Sequence, residues 1–166
     1  RPRSDWRSCC SPSWLAPLVP LFADDRLAVV APRVSSGSPL GSAIERYEWS
    51  SSPLDLGAAP GRVGRARRIT YVPAAALVVR RDALAQVGGF DESLRVGEDV
   101  DLIWRLDTTE WVCRYEPMAR VDHAVRPSWR ALVRQRVDYG RSAAALDACH
   151  PAAVAPVVLS RWSAGV

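Results

Sequence analysis

The sequence predicts an α/β domain, and three stretches predict it. Residues 27–34 form an almost continuous apolar run of strand length, the pattern of a strand in a sheet covered on both faces. Residues 69–79 give a second buried strand, in which small Ala side chains let another group approach the backbone. From residue 98 the period changes, and Leu102, Ile103 and Leu106 recur at helical spacing.

A chain of 166 residues can bury one good core, so a single domain is expected. Hydrophobic content of 48% and charged content of 24% exclude wholesale disorder. All 22 basic residues are Arg, and the net charge is +4. The arginines are scattered rather than massed and are not interleaved with stacking aromatics, so no nucleic-acid partner is expected. Cys9, Cys10, Cys113 and Cys149 contain no C-x-x-C pair and read as free thiols of a cytosolic protein. No cleavable signal is evident, and no span reaches the roughly 18 apolar residues that a membrane helix needs. The sequence lacks an initiator Met and stops soon after an apolar run at 152–159, so both ends are expected to be cut.

Taken in order, residues 1–12 are a polar, Arg- and Ser-rich lead expected to be poorly ordered. Trp14, Leu15, Leu18, Val19 and Phe22 read as a short helix interrupted by Pro17 and Pro20 and ended by Asp24 and Asp25. After the first strand, residues 35–39 are a loop, and Leu40, Ile44 and Tyr47 suggest a turn or two of helix. Residues 50–68 hold Ser, Pro, Gly and four Arg with little periodicity, expected as a solvated surface loop or as a mobile lid over a ligand. Residues 82–87 make a short helix stopped by Gly88, whose tolerance of positive φ suits the position after a helix end.

The stretch 87–106 is the centre around which the chain is organised. Gly88, Gly89 and Phe90 make a loop, and Gly97 leads into a helix opened by Glu98 and Asp99. Asp99 shares a face with Leu102, Ile103 and Leu106, while Asp101 and Arg105 are expected to form an outward i,i+4 pair. A carboxylate on an apolar face costs solvation unless a partner or a cleft compensates it. One reading of Asp99 is therefore N-terminal capping, because the free N–H groups and positive dipole end of a helix favour acidic residues there. The other is a general base facing a pocket, with the Gly-Gly-Phe loop as its wall.

Beyond this helix, residues 111–115 and 118–123 each offer a short strand, which would place His123 at a strand end, where a lone His is either structural or a metal ligand. From Ser128 a longer helix carries Trp129, Leu132, Val133 and Arg136, with Tyr139 and Gly140 near its middle or at a break. Its Arg130, Arg134, Arg136 and Arg141 read, from spacing alone, as a solvated face.

Three blocks in this order and spacing resemble the C-terminal half of family-2 glycosyltransferases with the GT-A fold. They are residues 73–81 (PAAALVVRR), residues 88–92 (GGFDE) and residues 98–102 (EDVDL). Residues 14–22 and 52–57 are similar to the mycofactocin-system branch of that family, and the resemblance runs from about residue 13 to about residue 160. It implies a truncated, Rossmann-like GT-A domain over residues 13–150, an acceptor-side half with few mixed strands flanked by helices, followed by an apolar tail at 151–166. It further implies inverting transfer of a sugar from a nucleotide diphosphate sugar to an acceptor hydroxyl, which for this branch is peptide-derived.

By the same resemblance Asp99 is the base, Glu98 supports it or the acceptor, and Gly88, Gly89, Phe90 and Asp91 line the acceptor site. Gln135 and Arg136 fall where the family contacts the donor diphosphate, and His123 where many members hold a divalent ion, Mg²⁺ or Mn²⁺. Peripheral contact with the inner face of the cell membrane is a further implication. Family members precede this region with a nucleotide-binding half ending in Asp-x-Asp. Here Asp5 falls at the first position and Arg7 at the second, and Arg cannot ligate a hard cation. The chain is thus expected to be a fragment lacking the donor half, or else a catalytically inactive remnant or half-domain.

Overall fold

The computed structural model describes residues 12–151 and residue 153. The expected loose lead, with Asp5, Arg7, Cys9 and Cys10, lies outside the described residues apart from Pro12, as does most of the apolar tail.

Four strands form one mixed sheet in the order β2-β4-β1-β3. They are β1 (Leu27–Ser36), β2 (Gly61–Val63), β3 (Val78–Val79) and β4 (Val112–His123). β1 runs parallel to β4, whereas β3 and β2 pair antiparallel at the two edges. Leu27, Ala28, Val29, Val30 and Ala31 are fully buried, so the unbroken apolar run of β1 does mark a strand covered on both faces. One face packs through Ala28, Val29 and Ala31 on α3 (Glu98–Asp107), which contributes Leu102, Ile103 and Leu106. The other face packs Leu27 and Val30 on Leu18, with Trp14, Leu21 and Phe22 around them.

The segment carrying those residues is two 3₁₀ turns, Pro12–Trp14 and Val19–Ala23, rather than one interrupted helix. Pro17 and Pro20 lack the N–H groups that a continuous α-helix would use. The short helix expected near Ile44 is α1 (Ala43–Ser51), opened by a capping box in which Ser42 and Glu45 accept each other's backbone N–H. α2 (Arg81–Gln86) ends as expected, with Gly88 at φ +81° and Gly89 N–H donating to the Leu84 carbonyl. The last helix, α4 (Trp129–Cys149), runs through Gly140 without a break.

Three expectations need correction. The second apolar run is a strand only at Val78–Val79; residues 70–77 are irregular, and Ile69 makes an isolated bridge to Val63. Pro73 cannot donate to a ladder, and the next N–H, on Ala74, is spent on the Asp99 carboxylate. Conversely, the two strands expected at 111–115 and 118–123 are one strand, β4, which crosses Pro117 at a bulge. There Pro32 pairs with Glu116 but Arg33 pairs with Arg120, so the missing proline N–H is taken up where the ladder is already interrupted.

The third correction concerns residues 50–68, which are not wholly free surface loop. They contain β2, and their first part is fastened to the sheet. Arg33 grips Asp55 through two bonds of 2.8 Å, Nε to Oδ1 and Nη2 to Oδ2. Tyr115 donates its hydroxyl to the Gly57 carbonyl at 2.7 Å, and Tyr71 donates to Pro53 at 3.2 Å. Charge-assisted, two-pronged bonds of this kind are the strong class, so Asp55→Ala is expected to cost about 1.5–3 kcal/mol in chemical denaturation. The Arg33 guanidinium, foremost through its hydrogen bond, holds the Asp55 carboxyl below its ordinary value of 3.8. That stabilisation is therefore present above the unfolded value and disappears as pH falls through the lower folded one. The gap between wild type and Asp55→Ala should close on acidification below about pH 4.

Candidate active site

α3 begins on the Gly97 carbonyl, which accepts from the Asp101 N–H at 2.9 Å. Gly97 sits at φ +91°, and a Cβ there would lie 3.1 Å from the Leu146 side chain, so glycine is required for conformation and for the contact with α4. Glu98 and Asp99 follow in the first turn. Asp99 Oδ1 accepts from the Val100 N–H at 2.9 Å, the helix-start role expected of it. Its Oδ2 reaches off the helix and accepts from the Ala74 N–H at 3.0 Å.

Burial raises the Asp99 pKa, opposed by the N–H groups of Ala74 and Val100 and aided by the charge of Glu98. Two phenols stand close enough to feel that carboxylate. Tyr71 and Tyr139 are both pushed up, first by burial and further by the charge on Asp99. Tyr139 accepts a 2.8 Å hydrogen bond from the Gln135 amide and lines a cleft of about 740 Å³ with Val96, Arg126, Arg130, Arg134 and Gln135. Each Asp99 oxygen has one donor and acceptor capacity to spare, beside a tyrosine that opens onto a cationic cleft.

The structure does not gather every expected site residue. Gly88 and Gly89, at φ +81° and +79°, face open space, with nothing within 4 Å of where a Cβ would stand, and Phe90 is exposed beside them. Asp91 folds back on its own turn, accepting from the Ser93 N–H at 2.9 Å. Gln135 lines the cleft, but Arg136 is committed to α1, donating to the Ser51 carbonyl at 2.9 Å and pairing with buried Glu48 at 3.7 Å. His123 ends β4 half-buried, its pKa lowered by burial and by Arg126. Its buried Nδ1 has no hydrogen-bond partner. Among the described residues no three His, Cys, Asp or Glu side chains converge, so His123 belongs to no three-ligand set there that fits Mg²⁺ or Mn²⁺, which take about six oxygen ligands. No step assigned to Asp99 depends on a metal.

The Asp101–Arg105 pair exists, at 2.7 Å, but it is not outward. Asp101 is 3% exposed, and its other oxygen meets His150 Nε2 at 2.7 Å. α4 comes back over this side of α3, burying what the i,i+4 spacing alone places in solvent. Sequence reading also missed Tyr71, Tyr139 and His150; single aromatic or His residues on separate elements carry no local signal of convergence.

Residues 8–163 match the family described as glycosyl transferase family group 2. The chain belongs to that family. The pre-mycofactocin glycosyltransferase of Mycobacterium tuberculosis, in two strains, is 44% identical to this family-2 chain over 147 residues, covering 89% of the chain and 31% of the relative. The N-acetylglucosaminyl-diphospho-decaprenol L-rhamnosyltransferase of the same species is 45% identical over 58 residues, 34% of the chain and 19% of the relative. The chain thus spans about a third of the length of these pre-mycofactocin glycosyltransferases. Its mixed sheet and flanking helices accord with a truncated GT-A-like domain. No helix among the described residues is long and apolar enough to cross a membrane.

Proposed function

We propose that, joined to a donor-binding portion, this chain supplies the acceptor side of an inverting glycosyltransferase, with Asp99 as general base. The observation that supports the reading is the Asp99 carboxylate itself: partly desolvated, held on two sides by backbone N–H groups, and near enough to Tyr139, which lines the cleft, for its charge to help raise that phenol's pKa, although Asp99 does not itself line the cleft. A neutral hydroxyl is a weak nucleophile. Asp99 takes its proton as the oxygen attacks the anomeric carbon of a nucleotide diphosphate sugar, on the face opposite the departing diphosphate, so the configuration inverts. The cleft arginines Arg126, Arg130 and Arg134 have the charge, and the Gln135 amide a neutral donor, to receive that diphosphate, and Arg136 braces α4 on α1.

The name of the M. tuberculosis relative supports a pre-mycofactocin-like, peptide-derived acceptor. The test is transfer from nucleotide diphosphate sugars to such an acceptor by the protein that carries this chain, with the product anomer read by NMR. An inverted anomer formed only when Asp99 is intact is the expected result. Retention, or transfer indifferent to Asp99, refutes the reading, and absence of transfer by the intact protein leaves a non-catalytic half-domain as the account.

Peripheral membrane contact is supported by the exposed stripe of Trp129, Val133 and Val137 on α4, in a chain of net charge +4. The chain is expected to sediment with vesicles containing anionic lipid and to lose that binding when Trp129 and Val133 are both changed to Ser. Equal sedimentation of the double variant would sink the contact.

A further inference from the structure

The loop at 88–90 owes little to its own packing: two glycines face open space and Phe90 is exposed. Besides the backbone bonds that end α2, from the Gly88 N–H to Ala85 and from the Gly89 N–H to Leu84, a side chain on α3 holds it. Arg105 donates from Nη1 to the Val87 carbonyl and from Nη2 to the Gly89 carbonyl at 2.7 Å, one bond on each side of Gly88. Its Nε donates to Asp101 Oδ2 at 2.8 Å, and the other Asp101 oxygen is taken by His150 at 2.7 Å. His150 is 9% exposed and stands edge-on to Trp104, with ring centroids 5.3 Å apart. Trp104 in turn donates its indole N–H to the Thr70 carbonyl at 2.9 Å, four residues before the Ala74 N–H that holds Asp99.

One rigid helix therefore bears both the base and the group that grips the loop. Six residues of α-helix separate them by about 9 Å along the axis, a spacing that cannot drift as two loops would. The fork geometry of guanidinium suits the task, since one planar group meets two carbonyls and a carboxylate at once. Resting on the reading of Asp99 as base and on the family resemblance that puts residues 88–90 on the acceptor side, we propose that Arg105 is a positioning residue: clamped by Asp101 and His150, it ties the turn at 87–89 to the helix that carries Asp99 and so governs acceptor binding.

The proposal has one readout on the folded chain and one on the intact enzyme. Lysine in place of Arg105 keeps the charge but gathers its donors on one nitrogen, where Arg105 serves two carbonyls and a carboxylate from three. In hydrogen exchange, Arg105→Lys is expected to speed the Gly88 and Gly89 amides, bonded to Ala85 and Leu84, by about tenfold, leaving the amides of Leu102 and Ile103 unchanged. In the protein that carries this chain, the same variant should raise the acceptor KM about tenfold with the donor KM unmoved. His150→Gln, which keeps an N–H near the Nε2 position, should behave as wild type, and His150→Leu as Arg105→Lys.

Unchanged loop exchange and acceptor KM in Arg105→Lys, while Asp99→Asn still abolishes transfer, would overturn the clamp. So would exchange accelerated evenly over α3 and the sheet, because that marks a purely structural pair. If instead Asp99→Asn transfers normally, the base reading fails, and the exchange data still judge whether Arg105 holds the loop.

Discussion

Asp99→Asn, in the protein that carries this chain, is expected to lower kcat for sugar transfer by about 10²–10⁴-fold, the usual contribution of a positioned base. Fold stability should change by less than about 1 kcal/mol. Two effects on stability oppose one another. Asn has one acceptor oxygen where Asp99 uses two, so the N–H of either Ala74 or Val100 loses its partner, about the worth of one hydrogen bond. Removing a partly desolvated charge works the other way, since burial is the foremost cause of the raised Asp99 pKa.

Activity and stability should depend on pH with opposite signs. A base must be ionised, so transfer should rise with pH through a value above 3.8, the ordinary Asp pKa. For stability, the folded state binds the Asp99 proton more tightly than the unfolded chain. Between 3.8 and the raised folded value, folding therefore retains a proton that the unfolded chain has lost, and stability declines as pH rises through that window. The Asp99→Asn variant should lack this decline. A kcat–pH profile and denaturation at several pH values, each compared between wild type and that variant, check both signs. Parallel loss of stability and kcat would count against a catalytic role.

The second large effect is on the fold. Asp101→Ala should destabilise the chain by about 3–5 kcal/mol, because it strands Arg105 and His150 in a site where Asp101 itself is 3% exposed. For a chain of this size that corresponds to a fall in Tm of about 6–20 °C. Asp101→Asn, which keeps one acceptor oxygen and the shape, should fall less than half as far. Equal losses would mean that charge outweighs hydrogen bonding here; a loss under about 1 kcal/mol for Ala would place the pair in solvent, against the structure.

Much of the local architecture was legible because it rests on short-range rules. Pro17 and Pro20 announce a broken helix, the spacing of Leu102, Ile103 and Leu106 announces α3, and Gly88 announces the end of α2. Where reading failed, a distant partner had overridden the local pattern. Residues 70–77 look like a strand, yet Pro73 cannot donate and Ala74 gives its N–H to Asp99. Residues 50–60 look like free loop, yet Arg33 and Tyr115 of the sheet hold Asp55 and Gly57. Pro117 looks like a break between strands, yet the bulge against Pro32 absorbs it.

By itself the sequence determined the family, the buried central strand and a carboxylate at the start of an amphipathic helix, because composition, period and motif order are properties of neighbours along the chain. Only the tertiary structure decided which face of α3 is solvent. The i,i+4 spacing of Asp101 and Arg105 is the same whether the pair lies outside or inside. The return of α4, bringing His150 across to Asp101 from 49 residues away, put it inside and turned a surface ion pair into a support of the turn at 87–89.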